Sequence, residues 1–289
     1  MFHLTESQIT AIKWLATYKY LTSSQFVKMG LYKRRGYLTN ALKVLVGMKK
    51  ALLAKHDFNP INGKLESFYY LTNYGKKFLL DELEYTKGQI KAPKGLSPIY
   101  LKDYFHRKLT IDFHVYLNQW LEANDGKVNF LNYYFDKSGN NRSVNSNNHV
   151  AALNRIQLDS ATSFIPDINT MFTLGGQKYL YVFEQHNGKD AKRLFEQLYV
   201  HIIALSKGVV SEKYNIKKPH VVAIVCEYES VKMSVIHRLQ EERGIERYNN
   251  LLLFKTNAEL EDDFYENWTQ ISGEQVSFIP TLFNRDTSS

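Results

Sequence analysis

Residues 164–190 read FIPDINTMFTLGGQKYLYVFEQHNGKD. Two apolar runs flank Gly175-Gly176, and this spacing predicts an antiparallel hairpin with a two-residue turn. Asp167 lies near the start of the first run and Glu184 at the end of the second. Because the strands of a hairpin return to one end of a sheet, we expect the two carboxylates to lie side by side. Such a pair suits a hard cation such as Mg²⁺, which can polarise a phosphodiester and activate water. The alternative is two ordinary surface residues at strand ends.

The composition is typical of a globular protein without disulfides. The chain has 289 residues, enough for one large domain or two modest ones, and 44% of them are hydrophobic. Its one cysteine, Cys226, lies in an apolar run and is expected to be a buried strand residue, not a nucleophile. The N-terminal residues do not resemble a signal peptide, and no apolar stretch is as long as a membrane span. We therefore expect a cytoplasmic protein that does not bind membranes.

The net charge of +8 is unevenly distributed along the chain. Residues 1–95 carry 16 Lys and Arg against 6 Asp and Glu, a balance of +10. The remaining residues carry 21 against 23, a balance of −2. This polarity predicts a module that binds a polyanion, attached to a nearly neutral second part.

The N-terminal region has the pattern of three helices, a hairpin and a closing helix. Thr5–Gln8 fits a capping box, and Gly30 is a suitable stop for the second helix. Such a winged helix-turn-helix would place the N-terminal part of its third helix in a DNA major groove. The alternatives are a protein-binding surface or a solvated face. The candidate DNA contacts are Lys33, Arg34, Arg35, Tyr37, Thr39, Asn40 and Lys43 on the third helix, and Lys64 at the tip of the wing.

Residues 86–98 are rich in Pro, Gly and Lys and predict a linker. A long helix follows at residues 99–123 and contains His106, and then a strand at residues 128–135. The Asn- and Ser-rich segment 137–150 predicts a long loop, which either clamps DNA or is disordered. After the hairpin the pattern predicts helix 191–206, strand 220–227, helix 231–243 and strand 250–255. The acidic and aromatic tail from Glu259 predicts a surface helix.

Two motifs resemble those of known families. Pro166-Asp167 with Glu184-Gln185-His186 resembles the core of the PD-(D/E)xK nuclease superfamily, although His186 stands where that motif has lysine. A basic winged helix before such a domain resembles the replication-relaxation family of plasmid and mobile-element proteins. That resemblance covers residues from about 5 to 255. It rests on Tyr69–Gly75, His106, Pro166-Asp167, and Glu184–Gly188 before a helix containing Tyr199.

The resemblance implies a two-domain fold of the α+β or α/β class. Residues 1–85 would form the winged helix-turn-helix, residues 86–98 the linker, and residues 99–289 a restriction-endonuclease-like mixed sheet flanked by helices. Active members of the family nick one strand of an origin on mobile DNA with a divalent metal, here Mg²⁺ or Mn²⁺. Asp167 and Glu184 would be the metal ligands, and His106 and Asn187 would be polar partners near the scissile phosphate.

The histidine at position 186 leaves several chemical alternatives open. His186 could act as a general base or proton donor, or as a metal ligand that shifts the preference towards Mn²⁺. Lys189 or Lys192 could instead supply the positive charge, or catalysis could have been lost. As the nucleophile we favour activated water over Tyr199, which we expect to pack on the sheet.

Two functions fit this sequence. The first is a relaxase-type endonuclease that nicks DNA with a divalent metal. The second is a non-catalytic DNA-binding regulator or replication accessory protein with a degenerate nuclease domain. Both predict double-stranded DNA, an origin or an operator, as the partner, with single-stranded DNA and a homodimer as further alternatives.

Overall fold

The computed structural model describes residues 4–32, 34–58, 65–93, 99–137 and 152–279. The chain forms two compact units, Met1–Val115 and Tyr116–Ser289. Their boundary falls inside helix α5 (Tyr104–Ala123). Residues 86–93, the described part of the predicted linker, belong to the first unit, where the Lys91 amide donates a 2.7 Å hydrogen bond to the Ala16 carbonyl.

The first unit opens with three helices whose ends follow from the sequence. The first two begin with capping boxes, Thr5 with Gln8 and Thr22 with Gln25, in which each side chain pairs with the other residue's backbone amide. Gly30 adopts a φ of +83° just beyond the second helix, where a residue with a side chain would be strained. The helices are α1 (Glu6–Tyr18), α2 (Ser23–Lys28) and α3 (Arg35–Gly47).

An antiparallel hairpin and a fourth helix complete this part of the unit. Strand β1 (Leu53–His56) pairs with β2 (Phe68–Leu71), and α4 (Asn73–Glu82) follows directly. The hairpin packs tightly on α4, because a Cβ atom at Gly75 would lie 2.2 Å from the Leu52 carbonyl oxygen. The predicted order of three helices, a hairpin and a helix is therefore present, while the wing tip lies outside the described residues. A 3₁₀ turn at Leu101–Asp103 precedes α5.

The second unit is built on a mixed sheet of seven strands. The strands are β3 (Lys127–Tyr133), β6 (Ile168–Leu174), β7 (Gln177–His186), β8 (Val221–Cys226), β9 (Leu252–Thr256), β10 (Trp268–Thr269) and β11 (Gln275–Val276). Their spatial order is β11-β10-β9-β8-β7-β6-β3. β8 pairs in parallel with β7 and with β9, and the other neighbours are antiparallel. The unit is thus a mixed sheet flanked by helices, as the sequence predicted.

The predicted hairpin at Gly175-Gly176 is confirmed. Leu174 pairs with Gln177, which leaves two residues in the turn. Both glycines have positive φ, 55° and 78°, the requirement of the turn that matches strand twist. The register Ile168 to Phe183 then sets the next outward pair, Asp167 and Glu184, opposite each other.

Helices cover one face of the sheet. Even-numbered residues of β7 and β8 point to this face, where Leu180 and Val182 pack on Ala204 and Val210, while Val222 and Ile224 pack on the apolar sides of two longer helices. Cys226 is fully buried there, as predicted, and burial raises the pKa of its thiol to about 12. The helices of the unit that follow α5 are α6 (Ala191–Lys207), α7 (Val209–Lys213), α8 (Glu229–Glu241) and α9 (Asn257–Asp262).

The opposite face is aromatic. The Tyr181 hydroxyl donates a 2.5 Å hydrogen bond to the Phe278 carbonyl, and the two rings lie 4.5 Å apart. Trp268 is fully buried beside Phe278. The prediction of a surface helix for the tail was wrong: the tail forms only the short α9 and then adds β10 and β11 to the sheet edge, because its aromatic residues complete the core.

A short segment covers part of the helical face. Residues 152–164 contain the paired strands β4 (Ile156–Gln157) and β5 (Ser163–Phe164). Ile156 and Leu158 are buried against Leu180 and Val182. We call residues 152–164 the covering segment. The loop predicted at 137–150 lies, from residue 138, outside the described residues.

Candidate functional site

The two predicted carboxylates lie together at the open end of the β6–β7 hairpin. Two hydrogen bonds fix Asp167: the Tyr134 amide donates to its carbonyl at 2.9 Å, and the Gln185 amide donates to its Oδ2 at 2.7 Å. Glu184 lies opposite on the same face, because directly paired residues of antiparallel strands share a face. Both residues are buried, with 7% and 1% of their surface exposed. The pair is therefore an interior group and not a solvated strand end.

Both oxygens of Glu184 form hydrogen bonds with side chains of helix α6. Gln197 Nε2 donates to Oε2 at 2.6 Å, and His201 Nε2 lies 2.7 Å from Oε1. The two side chains reach the same carboxyl group because they are one helical turn apart. The ring of Phe164, from the covering segment, meets the His201 imidazole edge-on at 4.9 Å. Glu184, Gln197 and His201 thus form a closed polar cluster under the covering segment.

Burial disfavours charge on both ionisable groups of this cluster. Burial, and then the neighbouring charge and hydrogen bond of Asp167, raise the pKa of Glu184 well above its usual value of 4.5. Burial lowers the pKa of His201 to about 4, although the Asp167 charge opposes the shift. His201 is therefore neutral near pH 7, and burial favours the neutral form of Glu184, so their 2.7 Å contact is a hydrogen bond and not an ion pair.

The donor types suit a divalent cation, but their number and arrangement do not. Mg²⁺ takes six oxygen ligands and usually keeps several waters, so its site needs open positions. Here both oxygens of Glu184 are already in hydrogen bonds with protein side chains, and the residues are buried. Throughout the described part of the chain, no group of three or more His, Cys, Asp or Glu side chains is arranged to hold a metal.

The other predicted residues around the motif lie in different surroundings. His186 is buried on the same face of β7 as Glu184, two residues along the strand. The Asn187 side chain accepts a 3.0 Å hydrogen bond from Gln185, and the Asn187 carbonyl accepts one from Arg193. The two lysines considered as substitutes are exposed: Lys189 lies 5.4 Å from the Tyr228 ring centroid, and Lys192 lies 3.9 Å from Glu196.

Two further predicted residues are His106 and Tyr199. His106 is half-buried in the part of α5 that belongs to the first unit, and its carbonyl accepts a hydrogen bond from Thr110. Tyr199 is 45% exposed on α6 and contacts Phe195. The expectation that Tyr199 packs on the sheet was wrong, because Leu198 and Ile202 occupy the buried side of that helix.

The predicted DNA contacts lie on the outer side of α3. Leu38, Leu42 and Leu45 form its buried side. The opposite side exposes Arg34, Arg35, Tyr37, Asn40 and Lys43, and Thr39 is half-buried. Tyr37 is 62% exposed although it is aromatic, and α3 contains no acidic residue. Lys33 and Lys64 lie outside the described residues.

Arg35 also has a structural role. Its guanidinium is ion-paired with Glu66, which precedes β2. Glu66 in turn accepts hydrogen bonds from the side chain and the amide of Ser24, at 2.5 and 3.2 Å. One carboxylate thereby joins the starts of α2 and α3 to the hairpin.

Gln197 and His201 were not predicted as site residues. The sequence does contain a signal for them. His201 falls on the apolar side of α6, in register with Leu194 and Leu198, and a polar side chain at such a position needs a buried partner. Which partner it finds depends on how α6 lies on the sheet.

No protein-family model, curated protein or solved structure matches the chain. Within the described residues, none of the helices has the length and apolar character needed to cross a membrane.

Proposed function

We propose that the protein binds double-stranded DNA through the outer side of α3. The observation that carries the proposal is the composition of that side, where Tyr37, Asn40 and Lys43 are exposed and no carboxylate interrupts them. Amide side chains read adenine in the major groove, and lysine neutralises phosphate. The order of three helices, hairpin and helix supports a winged helix-turn-helix, in which α3 would be the recognition helix. The DNA would be an origin or operator of a mobile element.

Binding-site selection from random duplexes, followed by anisotropy titration, tests this proposal. We expect Asn40→Ala or Tyr37→Ala to weaken binding to the selected site by about 1–3 kcal/mol, with little effect on random duplex. Lys43→Ala should weaken binding to both. Lys77→Ala is the matched control, because this exposed lysine lies on α4 near Asp81. A wild-type protein that binds no duplex, or α3 variants that bind as the wild type does, would refute the proposal.

A second candidate function is metal-dependent cleavage of one DNA strand at Asp167 and Glu184, in a restriction-endonuclease-like domain. It is favoured by one specific observation: two carboxyl groups lie close enough at the sheet end for one to raise the pKa of the other. Strongly perturbed groups of this kind concentrate at functional sites. Because the cluster as it stands does not provide open ligand positions, DNA binding is the better supported function.

Calorimetric titration with Mg²⁺ and Mn²⁺, paired with a nicking assay on supercoiled DNA, tests the second candidate. This candidate predicts saturable binding and nicking that Asp167→Ala and Glu184→Ala abolish and that Glu196→Ala, at an exposed carboxylate on α6, leaves intact. Equal nicking by all variants, or none by the wild type on its selected site, would leave DNA binding as the only proposed function.

A further inference from the structure

The nearly neutral second unit concentrates positive charge at one place. Residues 207–218 contain four lysines and a single acidic residue, Glu212. The covering segment adds Arg155 to the same surface, because the Lys213 ammonium donates to the Arg155 carbonyl at 2.8 Å. We define the α7 patch as Arg155, Lys207, Lys213, Lys217 and Lys218. All but the half-buried Lys218 are exposed.

The cations of this patch are held mostly by neutral groups. Lys213 donates to the carbonyls of Leu153 and Arg155 and, among the described residues, pairs with no carboxylate. Arg155 donates to the Ser163 hydroxyl at 2.8 Å. Lys207 donates to the Leu158 carbonyl at 3.2 Å, with Asp159 more distant at 3.8 Å. By contrast, Lys232 in the same unit has two carboxylate partners within 3 Å.

A cation that is partly buried without a counter-ion attracts an anion. Burial lowers the pKa of Lys213, since no neighbouring carboxylate offsets the loss of solvation. A phosphate oxygen could accept hydrogen bonds from the remaining N–H groups of Lys207 and Lys213, because each ammonium has three donors and uses only one or two of them here. Proteins that bind the phosphate backbone of DNA typically make several such contacts from one patch.

We infer that the α7 patch is a second nucleic-acid surface, which binds the phosphodiester backbone of a DNA strand without reading its bases. The inference rests on the proposed DNA-binding function and extends it to the second unit. Arg155 belongs to the covering segment, and Phe164 of that segment contacts His201, the partner of Glu184. A backbone on the patch therefore lies along the segment that covers the carboxylate pair.

The test compares two charge reversals of equal size in the full-length protein. Lys213→Glu/Lys217→Glu alters the patch, and Arg238→Glu/Arg243→Glu alters exposed arginines beside Glu241 and Glu242. The probe is a labelled duplex of about 20 base pairs and unrelated sequence, titrated by anisotropy at several salt concentrations. We expect the patch variant to bind at least about 10-fold more weakly and its salt slope to fall by about 1–2, with a change below about 3-fold for the control.

Equal effects of the two reversals would overturn the inference, because net charge alone would then explain them. Wild-type affinity of the patch variant, together with loss of binding in Lys43→Glu, would overturn the inference and leave the proposed function standing. Retained binding in every variant would overturn both. Circular dichroism checks that each variant folds. If the charge reversal does not fold, Lys213→Gln/Lys217→Gln takes its place. This variant should lower the salt slope as the reversal would, because it removes the same two lysine contacts.

Discussion

The buried pair of Glu184 and His201 should give the protein an unusual dependence of stability on pH. Between pH 4.5 and its raised pKa in the folded protein, Glu184 keeps a proton that the unfolded chain, with a usual pKa of 4.5, has lost. Folding therefore takes up a proton. Because stability falls with rising pH wherever the folded state binds more protons, the free energy of unfolding should fall by about 1.4 kcal/mol per pH unit from pH 6.5 up to the raised pKa of Glu184.

His201 changes the pH dependence of the free energy of unfolding below pH 6.5. Its pKa is lowered from 6.5 to about 4, so between those values the unfolded chain gains a proton that the folded protein lacks. This contribution to stability is complete above pH 6.5 and is lost as the pH falls through about 4. Between pH 4.5 and 6.5 the Glu184 and His201 contributions to the slope cancel. Together they predict a free energy of unfolding that is constant in this pH range and falls at higher pH.

Glu184→Gln isolates the carboxylate, because glutamine keeps the shape of the neutral acid and does not titrate. In EDTA, the wild type should lose up to about 2 kcal/mol between pH 6.5 and pH 8, and the variant should lose almost none of it. Urea unfolding followed by tryptophan fluorescence measures both, and Glu196→Gln, exposed on the same helix, is the control. A difference between wild type and Glu184→Gln that is constant with pH would refute this account of the cluster.

Three further substitutions test the packing and charge of the two units, each by urea unfolding. Gly75→Ala should destabilise the protein by about 1–3 kcal/mol, since its Cβ would lie 2.2 Å from the Leu52 carbonyl oxygen. Leu42→Ala, on the buried side of α3, should cost about 2–5 kcal/mol. Lys255→Met should raise stability at pH 7 by about 1–3 kcal/mol and by less at pH 10, because burial lowers the pKa of that lysine to about 8 and its cost disappears as it loses its proton.

The parts of the fold that local chemistry determines could be predicted from the sequence. The Gly175-Gly176 turn needs positive φ at both residues, and this requirement fixed the register that places Asp167 opposite Glu184. The capping boxes of α1 and α2 fixed the starts of those helices in the same way. In each case the information lies within a few residues of the feature, so no tertiary contact was needed.

The surroundings of the carboxylates could not be predicted, because they depend on contacts between distant segments. His201 meets Glu184 only because α6 lies on the sheet with that side inward. Trp268 shows the same limit: a two-residue strand has no periodicity to detect, and its pairing beside β9 follows from the burial of the indole. The sequence therefore predicted the acidic pair, but not the side chains that enclose it.

The burial of Glu184 bears on the function of this residue. Keeping a glutamate neutral in the interior costs stability at neutral pH that a leucine or glutamine of similar size would not cost. Such a cost persists where it fixes a particular packing or where the group serves a function. The two explanations differ in their expectation for Glu184→Gln. If the variant is more stable than the wild type at pH 8 and binds DNA equally well, the carboxylate is not needed for packing or recognition, and its retention favours a chemical role. If the variant loses stability at every pH, Glu184 is a packing residue, and the second unit serves the protein through the surface charges of the α7 patch instead.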